Sequence, residues 1–521
     1  METVKSDVLV IGCGLAGCAT ALGLAKSGLG VSVITPSDDP MESSTKYAQG
    51  GIVYRCDKDP ELLQEDMMKA GLNMSNPEMV RLLAEGGPKE VKDFLMDFAG
   101  VGFDKRDGKL DLTKEAAHSC RRIIHVNDRT GKAITEALMG KLKEFPNIRV
   151  FAGHSLVDIL TESHHTTIKD AKDSCIGAYI LDKRNGIVKT FISKKTVIAT
   201  GGVGQVFLRT VNPSISRGDG LFAAFRAGAK LKNIEYIQFH PTSLFHRLVP
   251  DFLISEAIRG EGGILRNQKG EGFMIRYDER GSLAPRDVVT RGIFHEMLRT
   301  GDQYVLLDVS KIPPEKLKEH FSTIYKKCLD NGLDITKKSI PVSPTAHYIC
   351  GGVDVDDKGR TSIGNLYAAG EVSHTGVHGA NRLASTSLLE CLLWGTRCAK
   401  DIVSVISESD FIDPEKVLPW RYTHKIEKVD PALIQQDWMT IKSIMWNYVG
   451  IVRTPKRLER AVADLEYLQK RINEFYKDAK ICDELVGLRN GVGVALLIAK
   501  AALANKESKG CHYIENDEHK L

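Results

Sequence analysis

The sequence predicts an α/β protein in which a Rossmann-like dinucleotide-binding domain is interrupted by an inserted segment and followed by a helical region. Three observations carry this reading. Residues 7–34 run as a buried strand, a GxGxxG turn (Gly12, Gly14, Gly17), a small-residue helix and a second strand, which is the opening unit of a dinucleotide fold. Glycine-rich strand ends recur far away at 196–202 and 364–371, while residues 234–344 between them carry a different, mixed pattern. Beyond residue 416, Leu458, Ala461, Val462, Leu465, Leu468, Ile472 and Phe475 fall on one face at helical spacing.

Taken in order, the first unit explains its own glycines. Gly12 and Gly14 let the chain turn tightly and approach a pyrophosphate over the helix start at Leu15 and Ala16, and Gly17 lets helix and strand pack closely. The acidic residue usual after the second strand is replaced by Thr35-Pro36. The following run, Ser44, Thr45, Lys46, Tyr47, Ala48, Gln49, Gly50 and Gly51, is small and polar enough to line a cofactor. Residues 60–100 read as helices with starts at Asp59-Pro60 and Asn76-Pro77. The segment 111–131 concentrates Glu115, His118, Arg121, Arg122, His125 and Asp128, a density that most often belongs to a solvated loop. Residues 149–200 read as short strands, and Asp219 opens another small-residue helix. The inserted segment holds polar clusters at 238–242, 255–262 and 283–287. Finally, 364–390 joins a strand end to Glu371, a glycine-rich loop bearing His374, His378 and Arg382, and a helix start at Ser387 and Leu388. Such a loop approaches a bulky cofactor while aiming one guanidinium at an anion.

Composition narrows the function classes. Lys+Arg 71 against Asp+Glu 67 leaves a net charge of +4, too little for a surface built around nucleic acid or anionic membrane. Eleven cysteines are scattered without a CxxC or CxxxC pair, so no metal site is expected, and they read as unpaired thiols of a reducing compartment. The polar start and the absence of about 20 consecutive apolar residues point to a soluble, cytoplasmic protein. The most apolar stretch, 492–503, is interrupted by Lys500. The acidic end after residue 514 is expected to be poorly ordered.

The words STKYAQGG, RRIIHVND, QFHPT, SEAIRGEGG, LAPRD, AHY, GVHGANRLASTSLLE and IMWNYVGIVRTPKRLERA follow one another along nearly the whole chain. In this order they resemble the succinate dehydrogenase and fumarate reductase flavoprotein family, and most closely its L-aspartate-oxidising branch. The resemblance implies FAD in a split domain (1–233 and 345–415), an inserted α+β capping domain (234–344) and a C-terminal three-helix bundle (416–521). Ser44 stands where the dehydrogenases attach flavin through histidine, so FAD is expected to be non-covalent. It also implies a substrate site of Arg382, His240, His347, Ser255 and Glu256, with Arg286 in proton transfer at the reacting carbon and Glu115 paired with the substrate ammonium. A plain ion pair of Arg286 with Asp287 is the alternative. The implied reaction takes L-aspartate to iminoaspartate, with O2 (giving H2O2) or fumarate as acceptor, feeding quinolinate synthase and NAD synthesis. A soluble fumarate reductase or a succinate dehydrogenase-type subunit is the rival reading.

Overall fold

The computed structural model describes residues 2–115, 117–169, 172–246, 251–422 and 429–515; the expected disorder at the C-terminal end falls largely outside them. The central sheet is built by strands rich in Val and Ile, apolar at its centre in residues 8–11 and, but for Ser32, in residues 31–34. Ile148–Ala152, Val31–Thr35, Thr3–Ile11 and Ile187–Ile198 lie parallel in that order. Ile187–Ile198 is long enough to serve two neighbours. Its first half pairs antiparallel with Cys175–Asp182, and its last three residues pair parallel with Leu366–Ala368. The chain therefore leaves the sheet and returns to it, which is the physical content of a split domain. Helix Leu15–Ala25 covers one face and packs on helix Ser387–Val405. Gly395 makes this contact possible, since a Cβ there would lie 2.7 Å from the Ala16 carbonyl oxygen.

The excursion forms a separate antiparallel sheet in the order Phe252–Leu253, Ile237–Leu244, Ile340–Ile349, Val305–Asp308, Ile264–Arg266. Its two central strands slip register between Gln238 and Phe239 and again between His240 and Ser243. Bulges of this kind bend a strand and re-aim its side chains. Here Gln238 faces Tyr348 while Phe239 faces Ala346, so His347 is the extra residue between them.

Three long helices, Pro431–Tyr448, Pro455–Asp478 and Asp483–Ala504, complete the chain. Leu458, Ala461, Leu465, Leu468 and Ile472 are buried, as their spacing requires, with Val462 and Phe475 partly buried beside them. Two sequence expectations fail. Asp483–Ala504 is long and apolar enough to cross a membrane by length and composition, but 83% of its apolar window is buried inside the protein, as in a core helix. Lys500 does not break it, because it projects outward to Glu466 (2.7 Å). Nor are all cysteines unpaired: Cys56 and Cys120, 64 residues apart, form a disulfide.

Candidate active site

The first turn does what its glycines suggest. Gly12 has φ +122°, and a Cβ there would lie 2.0 Å from the Ala199 carbonyl oxygen. Gly17 is equally constrained against Gly12. Thr45 Oγ1 accepts the Leu15 N–H at 3.1 Å, fastening the 43–51 segment to the helix start. Between them runs a trench of about 820 Å3, lined by Gly12, Gly14, Leu15, Ala16, Thr35, Ser44, Thr45, Asp219 and Glu371. It joins a second cavity of about 1550 Å3 through the shared Glu42, Ser44, Thr45, Glu371 and Cys391. The second cavity adds Tyr47, Ala48, Gln49, His347, Arg382, Ser387 and Leu388. A glycine-walled groove at a helix N-terminus, leading to a wider chamber with a buried arginine, fits a dinucleotide whose far end is a flat, bulky ring.

Four expected cofactor residues line neither the trench nor the second cavity. Lys46 ion-pairs with Asp39 and Glu42 (3.3 and 3.2 Å) and lines neither cavity. Gly51, at φ +144°, packs against Ile123 and Ile124. Gly50 is pressed against Glu115, whose Oε1 would lie 2.2 Å from an added Cβ. Gly17 likewise is a packing position rather than a lining one.

The polar site around Arg382 is assembled from six distant segments. Gln238 Oε1 accepts from Arg382 Nη2 (3.1 Å) and from Arg286 Nη1 (3.4 Å), holding two guanidiniums together around one oxygen. Arg382 also donates to His347 Nε2 (3.0 Å) and Ser387 Oγ (3.2 Å), and its guanidinium stacks 4.4 Å over Tyr348. The His347 and His240 rings lie 5.3 Å apart, and His240 is anchored through Nδ1 to the Thr242 backbone (3.0 Å). Arg286 opens helix Arg286–Thr300 and donates from Nε to Glu256 Oε2. The alternative pairing with Asp287 does not occur; Asp287 instead takes Arg291 at 3.0 Å. Glu256 in turn lies 3.5 Å from Arg259. Ser255 caps the short helix Glu256–Gly260, its Oγ accepting from Ala257 N–H (3.3 Å). Glu115 accepts from Ser385 Oγ (2.8 Å), and beside it His118 Nε2 lies 3.0 Å from the Ala384 carbonyl.

Burial sets the electrostatics. His240 and His347 are driven well below the ordinary imidazole value, first by burial and then by Arg286 and, for His347, Arg382. Both are neutral. Burial pushes the Glu115 carboxyl up, opposed by Arg286. For Glu256, burial also pushes up but Arg286 and Arg259 outweigh it and hold the carboxyl down. For Arg286, burial pushes down, but Glu256 and Glu115 outweigh it and raise its value. This reverses the modest lowering expected at a helix N-terminus. Glu371, at the junction of the two cavities, is pushed up to about 7 by burial. Among the described residues, several buried donors have no hydrogen-bond partner: Arg382 Nε, His347 Nδ1 and Arg259 Nε, with Arg259 Nη2 meeting only the Glu256 ion pair. Unpartnered buried donors around a chamber are where an anionic ligand binds.

Sequence reasoning named His378 as part of the glycine-rich loop but did not single out Gln238, Arg259 or Ser385, nor the buried set that Tyr348 and Glu390 form with His378. In that set Glu390 Oε2 accepts from Tyr348 (2.8 Å) and contacts His378 (2.9 Å). Their signal was adjacency: Gln238 precedes His240 in one word and Glu390 ends another, but only the bulged register brings Gln238 between two arginines.

A split nucleotide-binding sheet whose trench ends at a capped, arginine-lined chamber defines a flavin-dependent oxidoreductase acting on a carboxylate. Residues 7–388 match the FAD binding domain and residues 439–520 the fumarate reductase flavoprotein C-terminal family. L-Aspartate oxidase of Yersinia pestis is 44% identical over 98% of this chain and 95% of its own length. The Acinetobacter baylyi protein of the same name is 43% identical over 98% and 93%, and the chloroplastic rice protein 41% over 99% and 82%. Among solved structures, an E. coli quinol fumarate reductase FrdA chain superposes with TM-score 0.88 at 27% identity, over 99% of this chain and 92% of that one. The chain belongs to the L-aspartate oxidase family of the succinate dehydrogenase and fumarate reductase flavoproteins.

Proposed function

We propose that this chain binds FAD non-covalently and oxidises L-aspartate to iminoaspartate in the cytoplasm, as the first step of NAD synthesis, with quinolinate synthase taking its product. FAD, when bound, supplies the hydride acceptor and is returned to its oxidised form by O2, giving H2O2, or by fumarate. Residues 1–233 with 345–415 would hold it, 234–344 would cap the substrate and 416–521 would brace the whole. Ser44, whose hydroxyl lies 3.4 Å from Ser216 Oγ, offers no imidazole for a covalent link.

One observation carries the choice of substrate: a buried carboxylate, Glu115, lies within electrostatic reach of the two guanidiniums that meet at Gln238 Oε1. Three guanidiniums (Arg259, Arg286, Arg382) face two carboxylates (Glu115, Glu256) and two neutral histidines. Together they offer cations for the two carboxylates of L-aspartate and an anion, Glu115, for its ammonium, with Glu371 a further carboxyl at the junction of the cavities. Arg382 and Arg286 grip the carboxylates through forked, charge-assisted bonds, and His240 and His347 add neutral donors. Glu115 accepts from the ammonium and, with its carboxyl pushed up by burial, is suited to receive an N–H proton as the Cα hydride departs. Arg286, tied to Glu256 and raised in pKa, stays a cation; it holds a substrate carboxylate next to the reacting carbon rather than acting as a free base. Ser255 orients the turn that delivers Glu256.

The test is anaerobic bleaching of the oxidised flavin band. Bleaching by L-aspartate, followed by peroxide on admitting air, is the expected result. Bleaching by succinate alone would assign the protein to the dicarboxylate branch.

A further inference from the structure

Outside the flavin trench, the Cys56–Cys120 disulfide sits at the root of the loop that delivers Glu115 and His118 to the chamber. That loop is closed by Thr113 and Ile123: Thr113 N–H donates to Ile123 O (2.8 Å) and Ile123 N–H to Thr113 O (3.1 Å). Among its described residues from 114 to 121, only Glu115 and His118 are buried, while Lys114, Ala117, Ser119 and Arg121 are exposed. Little apolar packing holds it, so its position depends on polar ties and on the cross-link. The polar ties are few. Asp66 accepts from Ser119 N–H (2.8 Å) and Oγ (2.5 Å), Ser385 holds Glu115, and Ala384 meets His118.

The sulfurs lie in a setting made for redox chemistry. Arg122, fully buried and paired with Asp66 (2.8 Å) and Asp59 (3.2 Å), aims Nε and Nη2 at Cys120 Sγ (3.2 and 3.0 Å). A guanidinium fork on a cysteine sulfur favours the thiolate, the form that attacks peroxide and disulfides. Both cysteines are partly exposed. Cys56, Asp59 and Cys120 also place three ligand-type atoms within 4.8 Å of one another. The cationic Arg122 on the sulfur and its pairing with Asp59 make that cluster a poor cation site.

We propose that Cys56 and Cys120 are a peroxide-oxidisable pair whose disulfide clamps the Glu115 and His118 loop on the substrate chamber and whose reduction releases it. The Cys120 thiolate takes one oxygen of H2O2, giving a sulfenic acid and hydroxide. The Cys56 thiol then attacks that sulfur, forming S–S and expelling water. Two thiols and one peroxide become one disulfide and two waters. A dithiol reductant reverses the step by exchange. Lys114, Ala117, His118 and Arg121 of the loop that ends in Cys120 line a further pocket, which shares Gln49 with the chamber where peroxide would be made. Turnover with O2 thereby tightens the enzyme's own grip on its substrate. Only the choice of L-aspartate as the probe and of self-made peroxide as the oxidant rests on the proposed function.

The experiment compares the FAD-loaded protein after dithiothreitol and desalting with the same protein re-oxidised by added H2O2. Two further thiols are expected in the reduced form, with faster amide exchange across residues 113–123 and a KM for L-aspartate raised at least fivefold at little changed kcat. Added peroxide should restore the low KM. Cys56→Ser should stay at the high KM under both treatments; if that variant fails to retain FAD, the wild-type pair of states decides alone. Equal KM values and equal loop exchange in the two states overturn the proposal, as does a thiol count that peroxide does not lower. If no L-aspartate is oxidised in either state, the proposed function fails, and thiol count with loop exchange still decides the clamp.

Discussion

Replacing Glu115 with Gln is the sharpest probe of substrate choice. The carboxylate is 6% exposed, receives only the Ser385 hydroxyl among the described residues, and lies among Arg286, Arg382 and Glu256. An ion pair with a substrate ammonium at about 4 Å is worth about 4 kcal/mol at an effective dielectric near 20. Gln keeps the shape and an acceptor oxygen, so a net loss of about 2–3 kcal/mol is expected, a fall of roughly 30- to 150-fold in kcat/KM for L-aspartate. Fumarate carries no ammonium, and removing a carboxylate beside Arg286 and Arg382 makes the chamber more positive, which suits a dianion. The assay is stopped-flow: flavin reduction by L-aspartate, and oxidation of reduced enzyme by fumarate, each for both proteins. The pH profile gives an independent reading. Because the Glu115 carboxyl is raised, only its ionised fraction engages the ammonium, so kcat/KM for L-aspartate rises with pH through that ionisation and the Gln variant loses this limb. Equal losses in both half-reactions, or an unchanged pH limb, would refute the argument and make Glu115 a structural residue.

Three other outcomes follow from the geometry. Gln238→Leu removes the oxygen shared by Arg286 and Arg382, so like charges face each other unscreened; kcat/KM should fall about 10- to 100-fold while FAD content, read from the visible spectrum, is kept. Acid or heat precipitation should release all yellow colour into the supernatant, as Ser44 requires; flavin retained on the pellet would contradict non-covalent binding. Stability should fall as the pH is lowered below about 6.5, followed by thermal unfolding. His240 and His347 are depressed well below that value, and burial holds His118 and His512 at about 4. Between the unfolded and folded values the unfolded chain binds more protons, so stability present above pH 6.5 drains away as acid is added. Glu371, pushed up to about 7, and Glu115 take up protons in the folded state and offset part of this loss; a net rise in stability from pH 7 to 5 would contradict the neutral, buried state of these rings.

What the sequence disclosed and what it hid divide along one physical line. The trench is built from backbone, and backbone has local rules: Gly12 must take φ +122° against Ala199, and Gly17 must let Gly12 approach, so a short word announces them. The same sheet is legible at Leu366–Ala368 because a strand running into glycines marks its C-terminal edge wherever it occurs. The chamber obeys no such rule. Residues i and i+1 of a helix do not face each other, so Arg286 ignores Asp287 and finds Glu256, 30 residues back, while Asp287 finds Arg291 one turn on. Gln238 and His347 reach the arginines only because the strand register slips between them. The disulfide joins positions 64 apart with no spacing rule to betray it. Long-range pairings therefore carry substrate choice, and local words carry the cofactor. Hence substitutions at Glu115, Gln238 or Cys56 should alter which acid is used and how tightly, with FAD still bound, whereas Gly12→Ala, which drives a Cβ into the Ala199 carbonyl, should cost the cofactor and the activity together.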